Sequence, residues 1–380
     1  MHQPVLISGG GIVGTFLGLE LSSRNIPFQI IEKTPPKPSE LDGIRTLTLN
    51  FTVSERLKDL GISIPHSTIK KMRVFDGLGT GFLSFHAEDA DLDYLASVVD
   101  FAELRKELFK NIQDSVIPNK SLESFEVKNS SVKARLDDGS NILSPLVVIA
   151  EGRNSKTAEK VSLKKAQTDY HQIARTFLVE ASGLKNDTAI QVFNEKEIFA
   201  LMPFSQSGNY FSVVWSVPES KAKDQGNDLI FKGLNKYEKK LSCSLKPASE
   251  ILSFPLYSHH LKKYSKEGVC VVADAAHSIH PLAGQGINLG IADVGILAEE
   301  IDHAFHRGDS PGKTMYLKNY ELRRKSLNAS MINGVDLLFR IFQEENPYFR
   351  VLRNIGLRGV DRLGFIKKQF ILHASGIQKI

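Results

Sequence analysis

In Pro4-Val5-Leu6-Ile7-Ser8-Gly9-Gly10-Gly11-Ile12-Val13-Gly14, a short apolar run breaks on three glycines and gives way to apolar residues at helical spacing through Ser23. A strand, a tight turn and a helix are expected there. Pro27-Phe28-Gln29-Ile30-Ile31-Glu32 reads as a second strand ending in an acid, so residues 5 to 32 form a βαβ unit. In the spacing Gly9-x-Gly11-x-x-Gly14 the three glycines serve the turn, the close approach of backbone to a pyrophosphate, and tight packing of helix on strand. The helix N-terminus, with Ile12 and Val13 in its first turn, then faces the phosphates. Glu32 lies 21 residues after Gly11, followed by Lys33, at a strand end where a carboxylate accepts hydrogen bonds from both hydroxyls of an adenosine ribose. A bound dinucleotide is expected, and the acid by itself does not separate NAD from FAD. The rival reading is a glycine-rich turn in an ordinary βαβ unit.

Working outward, 380 residues and 42.2 kDa exceed what one ordinary core holds, so one large or two interlocked domains are expected. With 42% hydrophobic and 24% charged residues, the composition is that of a globular protein and excludes disordered, collagen-like and fibrous classes. An excess of 48 Lys and Arg over 43 acids is too small to indicate a nucleic-acid partner. Cys243 and Cys270 stand 27 residues apart with no CxxC, which supports neither a disulfide framework nor a zinc site and fits a reducing cytosol. No run of 18 apolar residues is present to span a bilayer, so a soluble or peripheral protein is expected.

Beyond a proline-rich loop, residues 44–50 read as strand or loop and 53–60 as helix. Short strands broken by Asp76-Gly77 and Gly79 occupy 72–98, and the stripe Leu104, Leu108, Ile112 predicts a helix over 101–113. Strand patterns return at 125–127, 132–134 and 146–149, and dominate from about 170 to 257 as an inserted antiparallel sheet. Residues 268–273 form another buried strand, and the chain is mostly helical from Gly284 onward.

That last strand opens a second constellation, Ala273-Asp274-Ala275-Ala276-His277-Ser278-Ile279-His280-Pro281-Leu282-Ala283-Gly284-Gln285-Gly286-Ile287-Asn288-Leu289-Gly290. A strand ends at an acid, and a turn of small residues leads through Pro281 and two glycines into a long helix. Asp274 is placed to accept a hydrogen bond from a ribityl or sugar hydroxyl, and the backbone N–H groups at the helix start can stabilise negative charge. A plain helix N-terminal acid is the rival. His277-x-x-His280 lacks the HExxH pattern and a carboxylate at ligand spacing, so no metal is expected. Each histidine is either satisfied within the fold or in contact with substrate or cofactor.

Gly9 to Gly14, the Asp274 to Gly290 segment, and Ala150-Glu151-Gly152-Arg153-Asn154-Ser155 between them resemble the three fingerprints of the class A flavoprotein aromatic hydroxylases, the para-hydroxybenzoate hydroxylase fold. Within that superfamily, residues 281–290, Phe254-Pro255-Leu256, Leu201-Met202-Pro203-Phe204, Val214-Trp215-Ser216 and the tail from Arg353 to Gly376 are similar to the ubiquinone-biosynthesis hydroxylases. The resemblance spans nearly the whole chain. It implies an α/β fold: an FAD-binding Rossmann-like domain (1–70, 99–165, 258–330), an inserted, mainly antiparallel β-sheet substrate domain (71–98, 166–257) and a helical, basic C-terminal region (331–380). It further implies that Gly9, Gly11, Gly14 and Glu32 hold the adenosine and pyrophosphate, that Arg45 and Arg105 line the flavin or reach its phosphates, and that Asp274 binds the ribityl chain. Gly284, Gly286, Ile287 and Asn288 would surround the flavin ring, with Pro281, Gly286 and Arg45 as candidates for positioning it. No acid-base catalytic residue is implied. Two departures bear on how firmly FAD is held: Glu151 stands where the family has Asp, and Ala273 where it has Gly.

The activity implied is that of an aromatic-ring monooxygenase with permanently bound FAD, transient NAD(P)H, and O2 forming a C4a-hydroperoxyflavin, acting on a polyprenylated phenol in ubiquinone biosynthesis. One rival keeps the fold and takes a small soluble aromatic. Another is a non-catalytic FAD-binding scaffold of a quinone-synthesis assembly. Residues 346–380 hold seven Lys and Arg against one acid, interleaved with apolar residues. Such a surface suits an anionic membrane face or protein partners, and a helical cap on the core is its rival. A cytoplasmic protein, peripheral on the inner face of the membrane, is the corresponding expectation.

Overall fold

The structure, a computed structural model, describes residues 3–37, 43–77, 79, 81–128, 131–161, 165–204, 208–222, 226–280, 284–344, 354–356, 359 and 363–377. Strand β1 (Val5–Ser8) lies inside a six-stranded sheet, paired in parallel with β2 (Phe28–Glu32) on one side and with Val147–Ile149 on the other. Val116–Pro118 adds beyond β2, and Val269–Val271 beyond 147–149, both parallel. Parallel strands covered on both faces require continuous apolar runs. Val5, Leu6, Ile7, Val147, Val148 and Ile149 accordingly have no exposed surface.

The register decides where the functional turns fall. Ser8 is opposite Ile31 on one side and Ile149 on the other, and Ile149 is opposite Val271. The residues that follow, Glu32, Gly9, Ala150 and Val272, therefore emerge together at the carboxyl edge of the sheet, although they come from four distant parts of the chain. In open parallel sheets that edge is where ligands bind. Helix α1 (Ile12–Ser22) leaves this edge and is buried nearly all round, because the helix Gln285–His306 packs against it.

The second large sheet is nine-stranded and mainly antiparallel, with one parallel pair between Lys71–Asp76 and Thr188–Asn194. Its strand Leu252–Leu261 runs on past residue 257 and pairs with Lys165–Ser182. The strand-dominated expectation for 170–257 needs a correction. Glu219–Ala222, Asn227–Lys232 and Asn235–Leu241 are helical and cover one face of the sheet, where Tyr237 stacks on Phe199 at 3.9 Å between ring centroids. These helices are short, and Gly226 and Gly233 interrupt the sequence, so no helical period develops in it.

A small sheet links the two. Strand β3 (Thr46–Asn50) pairs with Ala96–Asp100, which also pairs with His66–Ile69. From β3, Thr46 Oγ1 meets Ser212 Oγ at 2.7 Å and Thr48 Oγ1 donates to Met202 Sδ at 3.0 Å, both on the large sheet. The helix Thr314–Gln343 reaches that sheet at its far end, where Phe342 stacks on Phe193 at 3.8 Å. The helix Gly364–Ala374 docks on residues 87–91 through Lys367 to Asp89 (3.2 Å) and Lys368 to Asp91 (2.8 Å).

Candidate active site

At the carboxyl edge the chain turns through Gly9 at φ +111°, a region that favours glycine. A Cβ on Gly14 would stand 1.8 Å from the Gly9 carbonyl oxygen, so this glycine lets α1 sit directly on the turn. Gly11 is different: a Cβ there would meet no atom within 4 Å. It is the N-cap of α1 and offers no side chain, so the first-turn amides, including those of Ile12 and Val13, have no side-chain cap. Open space in front of an uncapped helix start suits a pyrophosphate.

Glu32 receives Gly10 N on Oε2 at 2.5 Å and Thr34 N on Oε1 at 2.8 Å, with Arg105 Nη2 at 3.3 Å from Oε1. A carboxylate accepts about four hydrogen bonds, so Oε2 keeps room for a ribose hydroxyl. Arg105 also donates to Thr34 O at 2.5 Å, which brings it to the Glu32 end of the crevice. Lys33 is exposed just beyond β2.

At the opposite end, Asp274 lies 4.0 Å from Arg153 Nη2, with both side chains partly exposed. Arg153 stands over the Tyr257 ring, 5.6 Å from its centroid, and Arg45 over the Phe101 ring at 3.9 Å. Arg45 retains solvent contact, yet crowding by protein atoms and then the nearby Arg153 charge lower its guanidinium pKa, while Asp274 acts the other way. Two guanidinium groups and one carboxylate thus share this end. The sequence alone does not single out Arg153 as a binding residue. Its position inside the middle fingerprint is the available signal.

The helix Gln285–His306 starts at Gly284, φ +64°, again without a side-chain cap. A Cβ on Gly286 would meet nothing within 4 Å, whereas one on Gly290 would stand 2.7 Å from Ala273 Cβ and 3.1 Å from Val13 Cγ2. The two uncapped helix starts are therefore held side by side. Ile287 is partly buried against the core. Asn288 uses its amide to tie the helix to β3, accepting from Asn50 N at 2.9 Å and donating to Thr48 O at 3.0 Å. Pro281, with Leu282 and Ala283, lies outside the described residues.

Both family departures find their partners here. Glu151 accepts from Ser8 Oγ at 2.5 Å and from Ser155 Oγ at 2.7 Å, and Ser155 in turn caps the helix Lys156–Lys160. The longer acid thus ties the end of β1 to that helix. Ala273 adopts φ +53° and points its methyl at Gly290, so it carries backbone strain as well as an added methyl.

What holds the Asp274 turn is a buried polar network that sequence reasoning missed. Asp293, fully buried, accepts from His277 Nε2 (2.5 Å), Arg324 Nε (2.8 Å), Asn328 Nδ2 (2.9 Å) and the backbone N–H of Ala273 (3.1 Å). His277 is thus satisfied within the fold. An acid amid the apolar run Ile291-Ala292-Asp293-Val294 is the signal that could have found it. Among the described residues no cluster of three His, Cys, Asp or Glu is placed to hold a metal.

The parallel sheet with glycine-lined crevice, acid-ended β2 and second uncapped helix defines a dinucleotide-binding protein. The chain belongs to the FAD binding domain family, whose model matches residues 2–334. It is similar over 99% of its length to the 3-demethoxyubiquinol 3-hydroxylase of Escherichia coli (strain K12), at 27% identity and 100% coverage of that protein. The ubiquinone hydroxylase UbiL of Rhodospirillum rubrum is also 27% identical, over 99% of this chain and 90% of that one. Among solved structures, p-nitrophenol 4-monooxygenase PnpA from Pseudomonas putida DLL-E4 matches with TM-score 0.81 at 15% identity, covering 100% of this chain and 99% of its own. Klebsiella pneumoniae HpxO complexed with FAD and uric acid matches with TM-score 0.76 at 18% identity, over 97% of each chain. FAD is the family's cofactor, and the open glycines and uncapped helix starts fit it.

Proposed function

We propose that this chain is an FAD-dependent aromatic-ring monooxygenase that uses NAD(P)H and O2 to hydroxylate a polyprenylated phenol of ubiquinone biosynthesis. The observation that carries the reading is the register that brings Glu32, Gly9, Ala150 and Val272 to one sheet edge beside two helix starts. The names of the curated relatives point to the quinone ring as substrate. Bound FAD supplies the redox chemistry, accepting hydride and activating O2. Glu32 would accept a hydrogen bond from a ribose hydroxyl, the α1 amides would hold the pyrophosphate, and Asp274 would accept from the ribityl chain. The amides at the start of the Gln285–His306 helix, which have no side-chain cap, would stabilise negative charge on the flavin ring. The sheet that β3 joins to this crevice supplies the wall against which an aromatic ring is held and water excluded.

The test is a product assay. FAD-loaded protein given NADPH, air and a prenylated phenol is expected to yield a ring product heavier by one oxygen, with NADPH consumption raised by the phenol. Flavin that stays oxidised under anaerobic NADPH, with or without phenol, would instead support the scaffold role, and turnover confined to unprenylated phenols the soluble-substrate role.

A prenylated substrate dissolves in the bilayer, and the C-terminal segment exposes large apolar side chains on and just before its helix Gly364–Ala374. Leu363, Phe365 and Phe370 are 53%, 76% and 54% exposed. No helix among the described residues is long and apolar enough to cross a membrane, and exposed apolar side chains beside Lys367 and Lys368 suit shallow contact with an anionic surface. Co-sedimentation with anionic liposomes at low salt is expected for the protein and strongly reduced in a Phe365→Ser, Phe370→Ser variant. Equal recovery of both in the supernatant removes the membrane role.

A further inference from the structure

The C-terminal helix Gly364–Ala374 ends in a turn that the rest of the chain uses. Ile377 N donates to Leu372 O and Gly376 N to His373 O, both at 3.1 Å, with Gly376 at φ +79°, the pairing of a Schellman motif. The carbonyl of the buried Ser375 points away from its own helix. It accepts from Thr52 N at 3.1 Å and from Thr52 Oγ1 at 2.7 Å. Thr52 stands in the first turn of the helix Phe51–Asp59, where amides have no partner within the helix. That turn is therefore capped twice, by its own N-cap Asn50, whose Oδ1 accepts from Val53 N at 3.0 Å, and by a carbonyl 323 positions further along the chain. A Cβ on Gly376 would stand 3.1 Å from Asn50 Nδ2 and 3.1 Å from Thr52 Oγ1, so the close approach and the positive φ both ask for glycine.

The same Asn50 meets the cofactor side. Its backbone N–H donates to Asn288 Oδ1 at 2.9 Å, and Asn288 Nδ2 donates to Thr48 O at 3.0 Å and to Gly284 O at 3.2 Å. Asn288 is buried, with its oxygen and both N–H groups engaged, so it is a joint between β3 and the start of the Gln285–His306 helix. Three hydrogen-bonded contacts in series, Ser375 to Thr52, Asn50 to Asn288 and Asn288 to Gly284, thus run from the C-terminal helix to the second uncapped helix start. At its other end the C-terminal helix is held by the Lys368–Asp91 pair, whose side chains are 43% and 85% exposed. An ion pair that open to water holds little. A helix of 11 residues is marginal on its own in water, so docking is what keeps it formed.

Resting on the FAD reading of the crevice, we propose that the docked end of the C-terminal helix, Ser375 and Gly376, is a positioning element of the cofactor site: it fixes the Asn50 corner through which Asn288 holds Gly284. Coupling of this kind is reciprocal. A docked helix tightens FAD binding, and bound FAD holds the helix down by the same factor. The segment that exposes Phe365 and Phe370 is in this way linked to whether the cofactor is in place.

Amide hydrogen exchange of the full-length chain, without and with saturating FAD, tests the link. Exchange across residues 364–377 is expected to slow roughly tenfold with FAD, within the usual span of such couplings. The helices Asn227–Lys232 and Asn235–Leu241, which cover one face of the large sheet, should exchange as before. Gly376→Val cannot hold the left-handed turn and crowds Asn50, so its FAD affinity in a flavin titration should fall by roughly tenfold while the unfolding midpoint of the FAD-free protein barely moves. Gly376→Asn, a residue that accepts positive φ, should stay within about threefold of the unaltered protein. Exchange at 364–377 that ignores FAD, or a Gly376→Val protein that binds FAD as tightly as the unaltered one, overturns the proposal and leaves the hydroxylase reading standing. Should Gly376→Val not fold, the exchange comparison decides alone. An unaltered protein that takes up no FAD overturns both.

Discussion

Replacing Asp293 by Ala is expected to destabilise the protein by about 3–5 kcal/mol, because it strands Arg324 in a dry interior and removes an acceptor from His277, Asn328 and the Ala273 amide. The loss is measured by urea unfolding of the FAD-free protein. A double variant, Asp293→Leu with Arg324→Met, removes both charges and should recover much of it. A midpoint unchanged by Asp293→Ala would mean that the network does not hold the turn. Burial by itself would raise the Asp293 pKa, but His277 and Arg324 outweigh it and keep the carboxyl well below the usual range. A depressed folded-state value gives stability that is present above the unfolded pKa and lost as pH falls through the folded one. This pair therefore gives way only in strong acid. FAD retention is expected to fall together with stability, since Ala273 precedes Asp274.

The second large effect separates two glycines three residues apart. Gly14→Val drives a side chain into the Gly9 carbonyl and is expected to cost more than about 4 kcal/mol, yielding little soluble protein. Gly11→Val meets no protein atom and starts from φ −74°, so the fold should lose less than about 1 kcal/mol. Its methyl groups occupy the space in front of the helix start, and FAD affinity should drop roughly 100-fold, or about 2.7 kcal/mol. Thermal melting of the FAD-free variant alongside a flavin-binding titration separates the two. A Gly11→Val protein with normal FAD affinity would place the pyrophosphate elsewhere.

These two cases mark how far the sequence carries. The Gly9, Gly11, Gly14 spacing, α1 and the acid that ends β2 were legible because they follow from local rules: strand and helix periods, turn chemistry, and the offset of one βαβ unit. The Asp274 turn and the helix after it were legible for the same reason. The helices between Glu219 and Leu241 were not, since none is long enough to establish a period.

By itself, then, the sequence determined the βαβ unit, the two glycine-bearing turns and that the first of them suits a dinucleotide, because each is decided by neighbours within about 20 residues. Only the tertiary structure decided that Glu151 would hold Ser8, 143 positions away, that Arg153 would join Arg45 and Asp274, and that Ala273 would be strained against Gly290. Those outcomes depend on sheet register and helix packing. Both are properties of surfaces brought together by burial, and no local pattern encodes which distant polar atom a carboxylate will meet.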